Sequence, residues 1–297
     1  MQLVVSYFRM AKLQFPLNQY RLKHKEITPR AIDNSSLLIQ CLEEIAANSA
    51  NHPVVIAIDA LDEASQSGLA PSANSLYLPS ILPKGVYVLI TTRPLKDMRL
   101  HVTSQQVFNM ISDSEENLQD ITTYIKVFTQ RKGIQDRIST WGVTVKQFVA
   151  ALRKKSQGNF MYLYYVLPAI ESGEFHRGTL DELPDGLMAY YQRHWRQIFE
   201  GNEREFNSIY EPIICILGVA QEPITIQQIA SWTCLNQGLV KKSILLWREF
   251  LTEVWVNGEH RYRIYHASFQ DFLKECVNLA QYDDMIATYY LSLIRSV

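Results

Sequence analysis

The ten residues from Val54 to Glu63 read V-V-I-A-I-D-A-L-D-E, and they constrain the fold more than any other part of the chain. A continuous apolar run rich in β-branched residues predicts a strand buried on both faces, as in a parallel sheet. The run stops at Asp59, and Asp62 and Glu63 follow closely. Because open α/β sheets bind ligands at the carboxyl ends of their strands, these carboxylates lie where a phosphate and its Mg²⁺ could be held. The alternative is a core strand followed by an acidic turn.

Residues 85–94 show a related pattern, G-V-Y-V-L-I-T-T-R-P. It predicts a second buried strand, followed by two hydroxyl side chains, Arg93 and a proline that ends the ladder. If the two strands are parallel neighbours, Arg93 and Asp59 emerge at the same edge of the sheet. An arginine beside a Mg²⁺-phosphate site can sense or neutralise the terminal phosphate. The alternative is an arginine that caps the end of a strand.

Together, I-D-A-L-D-E and L-I-T-T-R-P resemble the nucleotide-binding core of the NACHT class of STAND ATPases, which are signalling switches related to AAA+ proteins. The ordinary AAA+ motif has an acid directly after the Mg²⁺ aspartate, whereas Ala60 stands here and the acids follow later. The resemblance implies that Asp59 holds Mg²⁺, that Glu63 or Asp62 positions the attacking water, and that Arg93 reads the γ-phosphate. The implied cofactors are Mg²⁺ and ATP or ADP.

Two downstream segments resemble further motifs of the same family, Leu183–Leu187 (L-P-D-G-L) and Tyr262–Leu273 (Y-R-I-Y-H-A-S-F-Q-D-F-L). The resemblance implies that Pro184 packs on the nucleotide base and that His266 reaches the phosphate in the inactive state. From the residues alone, Pro184 is a proline at a helix start. His266, likewise, caps its helix while apolar side chains pack beneath it.

No phosphate-binding loop is present in these residues. None of the twelve glycines is followed by Lys-Ser or Lys-Thr, so the G-x-x-x-x-G-K-[ST] pattern is missing. The segment Leu3–Phe8 predicts a strand, and in the family fold such a strand comes after the phosphate-binding loop and its helix. We therefore expect a fragment of a NACHT module, from a split reading frame or a degenerate remnant, that does not hydrolyse ATP by itself.

The periodicity of apolar residues divides the chain into three predicted domains. Residues 1–112 alternate strands and helices, with a last strand at Gln106–Ile111, and predict a partial parallel-sheet P-loop NTPase core. Residues 113–202 predict a helical lid, with a helix capped by Ser114 and a helix stop at Gln157–Asn159. Residues 203–297 predict a winged-helix domain with a hairpin at Leu251–Tyr265. The predicted fold class is therefore α/β plus α.

A winged-helix domain also suggests two alternative functions. One is nucleic-acid binding, and the other is a non-catalytic protein-interaction module. The basic candidates are Lys241, Lys242, Arg248, His260, Arg261 and Arg263. Acidic residues interleave with them (Glu249, Glu253 and Glu259), and the net charge of the chain is −1. We therefore expect no nucleic-acid partner and no attraction to an anionic membrane. A metal-dependent hydrolase is a third class, but no histidine pair stands at ligand spacing near Asp59.

The four cysteines are scattered without a C-x-x-C pair, and no signal peptide or membrane-spanning stretch is visible. These features predict reduced thiols and a cytoplasmic location. The resemblance implies a nucleotide partner together with protein partners. Those protein partners would bind through sensor and effector domains outside this chain, with oligomers forming on activation.

Overall fold

The computed structural model describes residues 35–48, 53–64, 73–93, 99–175 and 179–295. It is a mixed α/β structure, in which helices accompany a two-stranded parallel sheet and a three-stranded antiparallel sheet. The chain divides between residues 108 and 109 into two compact units, called here the N-terminal unit and the C-terminal unit. The strand predicted at Leu3–Phe8 lies outside the described residues.

The N-terminal unit is built around two parallel strands. Its elements are helix α1 (Ser35–Asn48), strand β1 (Val54–Ile58), strand β2 (Val86–Ile90) and single 3₁₀ turns at Leu61–Glu63 and Ser75–Tyr77. Val54 lies opposite Val86, and Ile58 lies opposite Ile90, so the strands end at the same level. This register confirms that the residues following β1 and β2 share one edge of the sheet.

The sheet of the N-terminal unit is buried on one face. Ile58 and Leu61 lie in its small core together with Leu78. On the opposite face, the exposed fractions are 62% for Val55, 60% for Tyr87 and 48% for Leu89. The expectation of strands buried on both faces is therefore wrong for the described part of the chain. An apolar composition favours burial, but a face is buried only where another element packs against it.

The strand predicted at Gln106–Ile111 is not formed, and these residues have no regular structure. Val107, Phe108, Met110 and Ile111 are all exposed. An apolar run becomes a strand only when a neighbouring strand accepts its hydrogen bonds. Neither of the two described sheets includes these residues.

The first half of the C-terminal unit is helical. It contains α2 (Glu115–Phe128), α3 (Lys132–Thr140), α4 (Val145–Lys155), α5 (Phe160–Ser172) and α6 (Gly186–Phe199). The predicted cap at Ser114 is confirmed, because its side chain accepts from the Asn117 amide at 3.2 Å. The predicted break between α4 and α5 is also confirmed: Gln157 and Gly158 have φ of 51° and 73°, where a helix cannot continue.

The second half combines helices with the antiparallel sheet. A short helix (Glu203–Glu205) and a π turn (Phe206–Tyr210) lead into α7 (Glu211–Val219), followed by β3 (Ile224–Thr225), α8 (Ile226–Thr233), α9 (Gln237–Leu246), β4 (Leu251–Val256), β5 (Glu259–Ile264), α10 (Ala267–Cys276) and α11 (Ala280–Arg295). The strand order is β3-β5-β4. The predicted hairpin is confirmed, with its turn at Asn257 and Gly258, both at positive φ.

One continuous core holds the C-terminal unit together. It extends from Ile121 in α2 to Tyr282 in α11 and includes residues of every helix from α2 to α11. At its centre, the rings of Phe250 and Phe269 stack at 4.3 Å, and Trp247 is fully buried beside them. Aromatic side chains bury the largest apolar areas of any residue type, so this cluster dominates the stability of the unit.

Candidate functional site

The carboxyl ends of β1 and β2 bring two polar side chains together. Asp59 follows β1 and Thr91 follows β2, one position beyond the paired residues Ile58 and Ile90. The Thr91 hydroxyl donates a hydrogen bond to Asp59 Oδ1, and it accepts one from the Ala60 amide at 2.9 Å. These contacts orient the exposed Asp59 carboxylate and leave Oδ2 without a hydrogen bond to any described residue.

A tight turn follows Asp59 and reverses the chain. Ala60 adopts the left-handed conformation (φ 54°, ψ 54°) and leads into the single 3₁₀ turn Leu61–Glu63. The Leu61 amide then donates to the Thr91 carbonyl at 2.9 Å. A non-glycine residue in this conformation costs about 1–2 kcal/mol, because its Cβ lies too close to the following carbonyl oxygen. Alanine has the smallest side chain of the residues that carry a Cβ. The turn returns Asp62 to the end of β2.

Asp62 and Arg93 form a paired contact at this edge. One carboxylate oxygen of Asp62 accepts from the Arg93 amide at 3.0 Å, and the other accepts from Arg93 Nε at 2.7 Å. The Asp62 side chain is 4% exposed, whereas that of Arg93 is 54% exposed. Burial by itself raises the pKa of Asp62, but the hydrogen bonds and the charge of Arg93 outweigh it, so the pKa lies below its usual value.

The carboxylates at this edge could supply only some of the ligands of a metal ion, with the others coming from a bound nucleotide and water. Within the described ranges, no group of three or more His, Cys, Asp or Glu side chains could hold a metal ion. Mg²⁺ bound with a nucleotide is held by one or two carboxylates together with phosphates and water. Asp59 fits that role, because its Oδ2 is accessible, whereas both oxygens of Asp62 are engaged by Arg93. Glu63 ends the 3₁₀ turn, and its side chain lies outside the described part of the structure.

Pro184 lies in a segment that surrounds a buried lysine. The Lys155 ammonium donates to the carbonyl oxygens of Asp181 and Leu183 at 3.2 and 2.7 Å, and it contacts Asp185 Oδ1 at 3.0 Å. The Pro184 carbonyl accepts from the Tyr162 hydroxyl at 2.7 Å. The L-P-D-G-L segment thus lies at the start of α6, as predicted. It also supplies hydrogen-bond acceptors to Lys155, which is buried in the C-terminal unit.

His266 is the N-cap of α10. Its Nδ1 accepts from the Ser268 amide at 3.2 Å and lies 2.6 Å from the Ser268 hydroxyl, which in turn contacts the Tyr191 hydroxyl at 2.9 Å. Phe269 packs in the core beneath the cap. The structure therefore shows the capping role directly. Contact of His266 with a phosphate stays a prediction.

The six candidate residues separate into two groups. Asp59, Asp62 and Arg93 lie together at the edge of the parallel sheet, with the backbone of Glu63 beside them. Pro184 and His266 belong to the C-terminal unit, so a cleft shared by all six stays a prediction.

Sequence reasoning missed two residues that organise these groups, Thr91 and Lys155. Thr91 could have been found, because parallel register places it beside Asp59 once the strand ends are aligned. Lys155 carries no such signal, since the residues that surround it come from a distant segment.

Comparisons with protein-family models, with curated proteins and with solved structures find no match for this chain. Among the described helices, none has the length and apolar character needed to cross a membrane. All four cysteines are free thiols, with Cys41 and Cys215 buried and Cys234 and Cys276 exposed.

Proposed function

We propose that this chain is part of a nucleotide-dependent signalling switch of the NACHT class, in which the edge of the parallel sheet faces the nucleotide phosphates. One observation carries the proposal: Asp59 and Arg93 emerge side by side from neighbouring parallel strands, each held by a dedicated partner. A carboxylate for Mg²⁺ beside a cation for the terminal phosphate is the minimal arrangement for reading a nucleoside triphosphate.

Each residue at the sheet edge has a distinct role in the proposed switch. Asp59, oriented by Thr91, holds the Mg²⁺ that accompanies the nucleotide and neutralises phosphate charge. Glu63 orients the attacking water. Arg93 reads the γ-phosphate, and its contact with Asp62 holds the guanidinium in place until a phosphate competes for it.

The C-terminal unit contributes the proposed lid and winged helix. Pro184 packs on the base, and His266 donates from Nε2 to a phosphate in the inactive, ADP-bound state while Nδ1 keeps capping α10. A helix N-terminus favours anions, so a phosphate there is held by the dipole as well as by the imidazole. Exchange of ADP for ATP releases this contact and opens the switch.

The purified 297-residue chain is expected not to hydrolyse ATP above background. Mg²⁺ and a water-positioning carboxylate act on a phosphate that a glycine-rich loop must cradle, and these residues contain no such loop. Phosphate release is measured in parallel for the wild type and Glu63→Gln. Steady turnover that Glu63→Gln abolishes would show that this chain is a complete ATPase.

The proposal itself is tested by joining a strand, phosphate-binding loop and helix from a NACHT ATPase ahead of residue 1. Calorimetry then measures ATP affinity with and without Mg²⁺. We expect Asp59→Asn to lower the Mg²⁺-dependent affinity about tenfold or more, because the only exposed carboxylate oriented at the described edge is lost. Asp136→Asn, which removes an exposed carboxylate from α3, is the matched control. Equal affinities for all three proteins would refute the proposed role of Asp59.

The same joined protein separates the two roles of His266. A cap stabilises the fold whether or not a nucleotide is bound, whereas a contact with phosphate mainly strengthens ADP binding. We expect His266→Ala to weaken ADP in addition to lowering the melting temperature. A lowered melting temperature with unchanged ADP affinity would leave the cap as the sole role of His266.

A further inference from the structure

A groove of about 470 Å³ lies on the C-terminal unit, and its lining includes Tyr265, the residue before the α10 cap His266. We call it the tyrosine–leucine groove, and it is lined by Tyr164, Leu245, Leu246, Arg248, Glu249, Leu251 and Tyr265. The residues come from α5, from the end of α9, from the 3₁₀ turn Arg248–Phe250 that follows it, and from the two ends of the hairpin. Nothing in the proposed nucleotide switch uses it.

Tyrosine and leucine side chains form most of the lining of the groove and are accessible. The rings of Tyr164 and Tyr265 stack at 5.5 Å with an interplanar angle of 21°. Both rings stay partly open to solvent, and Leu245 beside them is 67% exposed. An exposed apolar patch with polar residues at its rim is characteristic of a surface that binds another protein.

The unmatched charge around the groove is positive. Lys241 precedes Leu245 by one helical turn and Arg248 follows it closely, and neither cation forms an ion pair with any described residue. The neighbouring Lys242 differs, because it contacts Glu205 at 3.0 Å. The one carboxylate of the groove, Glu249, is already engaged.

The floor of the groove is fixed before any ligand arrives. Glu249 accepts from the Tyr190 hydroxyl at 2.8 Å and lies 2.6 Å from His194 Nδ1, while His194 Nε2 lies 3.2 Å from the Leu246 carbonyl. Beneath these contacts Trp247 and Phe250 are fully buried. A preformed surface binds a partner with a smaller loss of conformational entropy.

We propose that the tyrosine–leucine groove docks a short acidic segment of another protein, in which a large apolar side chain stands within one helical turn of a carboxylate. The apolar side chain packs on Tyr164, Tyr265 and Leu245, and the carboxylate pairs with Arg248 or Lys241. Nucleic acid fits this surface less well. Exposed Leu245 and Leu246 lie between the two cations along the chain, so a backbone of phosphates finds no continuous positive strip there.

The test selects partners for the full-length chain from a library of random peptides about twelve residues long. Enriched peptides are expected to combine a large apolar residue with Asp or Glu within four positions. Their affinity should fall about tenfold or more in Arg248→Glu and in Leu245→Asp. Arg196→Glu, the same charge reversal at an exposed arginine on α6, should leave it unchanged.

Three outcomes would overturn the proposal. The first is a selection that enriches no apolar–acidic sequence. The second is binding that Arg248→Glu and Leu245→Asp leave intact, while circular dichroism shows every variant folded. The third is a random-sequence DNA duplex that binds more tightly than the peptides and loses affinity in Lys241→Glu and Arg248→Glu, since this would assign the surface to nucleic acid.

Discussion

The two units of this chain differ in how their apolar residues are used. Among the described residues, the N-terminal unit buries only six hydrophobic side chains apart from proline, and one face of its sheet is exposed; the six are Cys41, Leu42, Ile58, Leu61, Leu78 and Val86. The C-terminal unit buries a continuous cluster with fully enclosed aromatic rings. Because burial of apolar area is the main source of stability, the C-terminal unit is expected to be the more stable of the two.

The paired contacts at Asp59 and Arg93 lie on the unit with the smaller core, so their geometry depends on a few hydrogen bonds and one tight turn. Local opening is easiest where few apolar contacts are buried. We expect amide hydrogen exchange to be faster in residues 54–64 and 73–93 than in the helices of the C-terminal unit. Uniform protection across the chain would contradict the comparison.

The largest expected effect is in the C-terminal core. Phe269→Ala removes a fully buried ring that stacks on Phe250, and it should lower the free energy of unfolding of this unit by about 3–5 kcal/mol. Denaturant melts followed by tryptophan fluorescence measure the change. The control is Met110→Ala in the same unit, where the residue is 96% exposed, with an expected change within about 0.5 kcal/mol. Similar effects at both positions would show that the core is less closely packed than described.

Lys155→Met should have the next largest effect. It leaves the carbonyl oxygens of Asp181 and Leu183 without their donor, and hydrogen bonds to a charged group contribute about 1.5–3 kcal/mol. Lys154→Met replaces the exposed neighbour and should be close to neutral. Chemical denaturation of both variants measures the difference in stability. Equal denaturation midpoints would show that the hydrogen bonds of Lys155 to the L-P-D-G-L segment do not stabilise the fold.

A smaller effect is expected at the α10 cap. Removal of an N-cap acceptor costs about 0.5–2 kcal/mol, and His266→Ala should fall within that range without nucleotide. The melting temperature of the unmodified chain is the measurement. His260→Ala is the control, because this histidine lies on the exposed part of the hairpin and caps no helix. A loss as large at His260 as at His266 would argue against the cap.

The smallest effect is expected at the edge of the parallel sheet. Because the pKa of folded Asp62 lies below its unfolded value, its pairing stabilises the N-terminal unit at pH values above about 4, and this contribution is lost as the pH falls through the folded pKa. With Arg93 half exposed, the contribution is about 1 kcal/mol or less. Melts between pH 2 and 7 should show a larger loss of stability on acidification in the wild type than in Asp62→Asn, which lacks only this contribution. Identical pH profiles would contradict it.

Local signals in the sequence were sufficient for most helices and for the hairpin. Ser114 and the Gln157–Asn159 break were correct because a cap or a left-handed residue acts within one turn of chain. The two parallel strands were also correct, although their exposed face was not. The strand at Gln106–Ile111 failed because a strand needs a partner that the segment itself does not contain.

The sequence by itself determined which side chains end each strand and each helix, since strand length and capping are local properties. It therefore placed Asp59 and Arg93 at strand ends, Pro184 before a helix and His266 at a helix start. Only the tertiary structure decided that Thr91 holds Asp59, that Asp62 holds Arg93 and that Lys155 is enclosed by the segment at Pro184. Each of these contacts joins residues far apart in the chain, and their distances are set by packing rather than by local preference.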